Sequence, residues 1–190
     1  MNSTRKNSVL NKGRMEVLGL VSLKLPPPWW WHGSDLENES VEGAIFCAYK
    51  DEEEPGLDIA QIIVADVTRD PDELNISSLD ENSAKDYDQV LHRNIKKNLH
   101  NDGREVIKWM SSQLIEKEKR KILFTEYIEK DQGKERQRIA LRMRVREFNL
   151  VIMGCFDIAM KDELLVPINN VIGDMFLLPP PSFSAHNKEK

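Results

Sequence analysis

Arg136-Gln137-Arg138-Ile139-Ala140-Leu141-Arg142-Met143-Arg144-Val145-Arg146 alternates almost without a break: from Ile139 onward the odd positions are apolar, and the even ones are arginine except Ala140. A period of two belongs to a β-strand with two chemically different faces. One face is bound for an apolar core, and the other carries guanidinium groups about 7 Å apart, twice the rise per residue. Around it, residues 122–130 read as a preceding strand, Asp131-Gln132-Gly133-Lys134 as the turn between them, and residues 149–158 as a following strand after a tight connection at Glu147-Phe148. Residues 121–178 are thus two consecutive hairpins and a helix. If residue 129 faces 136, the arginine face lies beside Glu129, Tyr127 and Leu123; if 146 faces 149, Arg138 lies opposite Asp157. Opposite charges placed this way contribute about 0.2–1 kcal/mol each.

Upstream, residues 15–25 have the character of an opening strand, stopped by Pro26-Pro27-Pro28, which cannot donate to a ladder. Residues 44–49 and 57–65 are short apolar runs joined by the solvated Asp51-Glu52-Glu53-Glu54-Pro55-Gly56, which suggests a hairpin. Ser83 is a suitable N-cap for a helix reaching His100, with Tyr87, Leu91, Ile95 and Leu99 as its apolar stripe. Residues 104–115 suit either a strand or a helix, and the strand is preferred. The last helix spans residues 162–178, with Leu165, Ile168, Ile172 and Phe176 inward, Pro167 in its first two turns, and Pro179-Pro180-Pro181 as its stop.

Three strands, a helix, four strands and a helix, linked largely as hairpins, predict an α+β fold: a mostly antiparallel sheet of about seven strands flanked by helices. With 190 residues the chain supports one domain, residues 15–178, between a basic tail at 1–14 and a polar tail at 179–190. A net charge of −5 makes the arginine row a local basic feature of an acidic protein, which counts against nucleic acid as a partner. Cys47 and Cys155 are too few for a disulfide framework and read as buried thiols. Neither a signal peptide core nor a membrane-spanning run is present, so a cytoplasmic location is expected.

Leu23-Lys24-Leu25-Pro26 with the following tryptophans, Trp109, the hairpin series from Ile122 through Phe156, and the closing helix from Asp162-Glu163-Leu164 to Met175 together resemble the PsbP-like fold, an α/β/α sandwich also found in the yeast Ran-release factor. The hairpin-then-helix ending is similar to that of bacterial effector chaperones of type VI secretion. The resemblance implies a non-enzymatic, chaperone-like or adaptor-like protein whose partner is another protein: an effector, a toxin or a secretion component. A toxin-immunity protein is the alternative, and a homodimer is compatible with either. Arg138, Arg142 and Arg144 depart from the apolar groove of such chaperones, since unpaired arginines against an apolar guest incur a desolvation penalty.

No catalytic signature stands out. His32, His92, His100 and His186 lack metal-ligand spacing, the acidic run 51–54 lacks the alternating ligands of a calcium loop, and neither a nucleophile elbow nor a phosphate loop is present, so no metal, cofactor or enzymatic activity is expected. Two candidate contact sites remain. Arg138, Arg142 and Arg144 suit bidentate recognition of carboxylates, or else interior pairing with Glu129 and Asp157. Trp29, Trp30 and Trp31 cannot all enter one core from an extended segment, so they suit an interface anchor, or else two of them plug an end of the sheet.

Overall fold

A computed structural model describes residues 10–11, 14–17, 19–24, 30–31, 44–51, 58–68, 75–117 and 119–178. In chain order the strands are β1 (Leu10–Asn11), β2 (Arg14–Val17), β3 (Val21–Lys24), β4 (Trp30–Trp31), β5 (Ala44–Asp51) and β6 (Asp58–Asp66); helix α1 (Glu81–Asn101) follows. Then come β7 (Glu105–Lys117), β8 (Arg120–Asp131), β9 (Lys134–Val145), β10 (Phe148–Asp157), helix α2 (Lys161–Gly173) and β11 (Phe176–Leu177). Seven strands form one sheet in the order β4-β5-β6-β10-β9-β8-β7, and β1-β2-β3-β11 form a second, smaller one. Every pairing among these strands is antiparallel, as hairpin connections require.

The large sheet is buried on both sides. Ile139, Leu141, Met143 and Val145 of β9 join Ile62 and Val64 of β6, Leu150 and Ile152 of β10, and Leu164, Ile168, Val171 and Ile172 of α2 in one apolar core. Each such side chain contributes about 1.5–3 kcal/mol when fully removed from water. The small sheet adds Val17, Leu20, Val21 and Leu23 to the same core. On the opposite side Tyr87 and Leu91 of α1 close over Leu123 of β8, together with Ile76 and Leu79 from the approach to the helix. The result is the α+β sandwich expected from the sequence.

Several local expectations are corrected. The opening strand does not enter the large sheet; it forms the small one, closed by Phe176–Leu177 against Val21 and Ser22. The seventh strand of the large sheet is instead Trp30–Trp31, paired with Tyr49 and Ala48. Leu10–Asn11, in the stretch read as a tail, pairs with β2. Helix α1 starts two residues before Ser83: Asp80 is the N-cap, its carboxylate accepts the backbone N–H groups of Asn82 and Ser83, and the Ser83 hydroxyl accepts from the Asp80 N–H. Helix α2 stops at Gly173, so Phe176 is a strand residue, and its buried positions are Leu164, Ile168, Val171 and Ile172.

Register differs at the second hairpin only. The first pairs Glu129 with Arg136 and Tyr127 with Arg138, as expected, through a turn in which Gln132 and Gly133 both have positive φ. The second pairs Val145 with Phe148, so Arg138 faces Cys155 and Asp157 faces Arg136. Arg146 accomplishes this by adopting φ 57°, a conformation that no glycine or asparagine announces at that position.

Candidate functional site

The arginine face of β9 is an interior. Arg138 is 3% exposed and Arg142 9%, whereas Arg144 is half-buried. Arg138 donates through Nη2 to Glu129 Oε1 at 2.7 Å and through Nη1 to Met153 Sδ at 3.3 Å. Glu129 is fully buried, and a second guanidinium, Arg104, holds its Nη1 3.6 Å from the same oxygen while donating to Asp102 at 2.7 Å. Asp102, Arg104, Glu129 and Arg138 therefore form a chain of alternating charge from the surface inward. Arg142 lies across from Leu123 and Val151, apolar neighbours against which its stem packs. Arg144 donates from Nε to the Arg146 carbonyl.

Alternation of this kind is what allows charges to be buried. A carboxylate left alone in the interior incurs a desolvation penalty of several kcal/mol, which a well-placed guanidinium offsets. Beside the pair, burial pushes the Tyr127 phenol up to about 12, with Arg138 pulling the other way. Burial likewise raises the Cys155 thiol, keeping it protonated and unreactive at neutral pH.

An aromatic column connects this interior to α1. His92 stacks on Trp109 with centroids 4.6 Å apart, and Trp109 stacks on Tyr127 at 5.5 Å. Asp88 of α1 accepts both the Trp109 indole N–H at 3.1 Å and the Ser112 backbone N–H at 2.9 Å. The second bond meets a need of β7 itself, whose register shifts between Val106 and Lys108 and again between Met110 and Gln113. At the second irregularity the Ser112 amide turns to the helix for its acceptor.

At the C-terminal end of α1, the helix, the start of β7 and the β8–β9 turn enclose a groove of about 970 Å³. Arg93, Lys96, Lys97 and His100 line its helical wall, Arg104 its floor, and Lys130 the opposite side. The side chain of Arg104 is only 10% exposed, held by Asp102 and Glu129. Arg93, Lys96, Lys97 and Lys130 have no ion-pair partner among the described residues. On the helix itself no acidic residue stands three or four positions from Arg93, Lys96, Lys97 or His100. Glu105 is the single carboxylate in the lining.

The structure thus places Arg138 and Arg142 beneath the surface and Arg144 near it. It does not bring them together with the tryptophan segment: β4 is the outermost strand at one edge of the sheet, with three strands between it and β9, and Trp29 lies outside the described residues. The groove was missed by reading the chain as a sequence. Its signal was present in the spacing Arg93, Lys96, Lys97, His100, which puts four basic or titratable side chains on one helical face. Among the described residues no helix is long and apolar enough to cross a membrane.

No family model and no curated protein sequence matches the chain. Solved structures do. Cyanobacterial PsbP from Synechocystis superposes with a TM-score of 0.58 at 11% identity, over 85% of this chain and 89% of that one. LpqN of Mycobacterium tuberculosis, described as involved in cell envelope biogenesis, gives 0.50 at 11% identity over 84% and 83%. The Ran-binding protein Mog1p of Saccharomyces cerevisiae gives 0.46 at 11% identity over 84% and 90%. The chain has the PsbP-like fold.

Proposed function

We propose that the protein is a non-enzymatic binding module, a chaperone-like or adaptor-like accessory that recognises another protein by surface complementarity. One observation carries this reading: a groove with four cations lacking ion-pair partners among the described residues, on a chain of net charge −5. Like charges three and four residues apart on a helix destabilise it by about 0.2–0.5 kcal/mol per pair. Here no acid three or four positions away on the helix offsets that repulsion, whereas an incoming complementary surface would. The interior charge chain supports the role from below, since Glu129 and Asp102 fix Arg104 in the floor.

The setting in type VI secretion rests on the resemblance of the hairpin-then-helix ending to bacterial effector chaperones. Trp29, Trp30, Trp31 and Arg144 are retained in the proposal as further contact positions, and Arg138 and Arg142 act by organising the interior.

Affinity capture from native lysate tests this reading, with Lys96→Gln/Lys97→Gln/Lys130→Gln as the matched control. The expected result is one stoichiometric protein, recovered by the unaltered chain, lost with the control, and rebound by purified components with an affinity that falls as salt rises. Absence of a stoichiometric protein would overturn it.

A further inference from the structure

The shape and chemistry of the groove narrow what it accepts. Its lining brings Arg93, Lys96 and Lys97 of α1 and Lys130 of β8 together with Arg104, whose side chain is 10% exposed. At about 970 Å³ it lies at the upper end of the roughly 300–1,000 Å³ typical of small-ligand sites.

Three kinds of polyanion suit five cations: a nucleic acid strand, a condensed phosphate and an acidic polypeptide. Single-stranded nucleic acid is held by aromatic side chains on which successive bases stack, and no Phe, Tyr or Trp lines this groove, His100 being its single ring. Dense phosphate is opposed by the carboxylates of Glu105 in the wall and Asp102 at the floor's outer contact. A polypeptide tolerates both, because its charge is spaced along the chain and its own amides can face a carboxylate. The wall strand adds a second argument. β7 ends the seven-strand order, so its outer backbone edge pairs with no strand among the described residues. An extended polypeptide can hydrogen-bond to such an edge while its alternate side chains, about 7 Å apart, reach one wall.

We infer that the groove between the C-terminal half of α1, the start of β7 and the β8–β9 turn is a docking site for an extended acidic segment of the partner protein. The inference rests on the binding-module reading and names the chemistry that the module selects. Lys96, Lys97 and Lys130 supply most of the selection because they are exposed and have no ion-pair partner among the described residues, whereas Arg104 is already engaged by Asp102 and Glu129.

The test uses the full chain and three fluorescein-labelled or competing probes: a decapeptide of alternating Glu and Ser, a deoxythymidine decamer, and inorganic tripolyphosphate. Fluorescence anisotropy is expected to show peptide binding that weakens at least tenfold in Lys96→Gln/Lys97→Gln/Lys130→Gln, with a melting temperature unchanged or raised. Gln matches Lys in helix propensity, so the variant removes charge without weakening the helix. Tighter binding of the decamer or the tripolyphosphate than of the peptide would overturn the assignment, as would peptide affinity equal in both proteins. Capture from lysate separates the two levels of the argument. A partner retained equally by the variant would overturn the groove and leave the binding module standing; peptide binding with no captured partner would do the reverse.

Discussion

Ile139, Leu141, Met143 and Val145 of β9 face α2, while Arg138 and Arg142 of the same strand lie on the α1 side, and both sets are buried. On the α2 side the neighbours are interchangeable in kind: any well-shaped apolar side chain gains from leaving water. On the α1 side they are not, because the buried ion pair depends on a particular partner at a particular distance, Glu129 on Arg138 at 2.7 Å. Two equally buried faces of one strand therefore differ in how they fail. The apolar face degrades with lost volume, and the charged face collapses when one member is removed.

The largest effect should come from Glu129→Ala, which leaves Arg138 buried without its counter-charge. Urea denaturation should show a loss of about 3–5 kcal/mol. Replacing both members with apolar residues, Glu129→Leu/Arg138→Met, should restore much of it, since a buried pair is seldom more stable than a well-packed apolar substitute. A double variant as unstable as Glu129→Ala would show that the arginine is needed for more than neutralising the glutamate.

On the α2 side the sharpest test is Gly154. A Cβ there would lie 2.4 Å from Ile168 Cγ2, a branched side chain fixed in the helix. Gly154→Ala should cost about 1–3 kcal/mol by overpacking. Combined with Ile168→Ala, the two losses should add to less than their sum in the same denaturation assay, because the second change makes the space that the first needs.

Asp88→Ala tests how α1 is fastened to β7. It removes the acceptor of the Ser112 amide and the Trp109 indole, and a loss of about 1–2 kcal/mol is expected. Amide hydrogen exchange should quicken at Ser112 before it does in β9. The smallest effect concerns the start of α1. The backbone N–H of Ser83, with its hydroxyl, holds the Asp80 carboxyl below its ordinary 3.8. A lowered folded-state pKa stabilises above the unfolded value and is lost as pH falls through the folded one. Asp80→Asn keeps an N-cap but removes the titration, so the two proteins should converge in melting temperature as pH drops below about 4.

How much of this was legible in the chain follows from the same physics. The period of two in 139–145 announced both the strand and its two faces, because alternation survives burial on both sides. Residues 104–115 are ambiguous for a reason the structure supplies: register shifts reset the alternation, so Val106, Trp109 and Leu114, which pair with Glu129, Tyr127 and Leu123 on one face, are spaced three and five apart. The apolar residues that remain, Val106, Met110 and Leu114, then fall four apart and imitate a helix. The second hairpin slipped by two residues because Arg146, not a glycine, takes the left-handed conformation. The helix at 161–173 was read too long because Phe176 continues the apolar stripe, and only pairing with Ser22 makes it a strand.

The candidate site was less legible than the fold. Arginines on a strand face look alike whether the face meets solvent or a helix, and only the three-dimensional position of α1 and Glu129 separates those outcomes. The groove needs residues 93–106, the end of α1 and the start of β7, together with residues 130–133, distant from them in sequence. Its helical part was written in the spacing of Arg93, Lys96, Lys97 and His100, while Lys130 joins it only because β8 lies next to β7.

The contrast between interior and surface charge is tested most directly by measuring melting temperature and acidic-peptide affinity together for Glu129→Ala and for Lys96→Gln/Lys97→Gln/Lys130→Gln. The interior change should lower the melting temperature by several degrees and, below the transition, move affinity less than threefold; the groove change should weaken affinity at least tenfold without lowering the melting temperature (about 1.4 kcal/mol per tenfold). Loss of peptide affinity confined to Glu129→Ala, with the groove variant binding as before, would contradict the division of labour proposed for these charges.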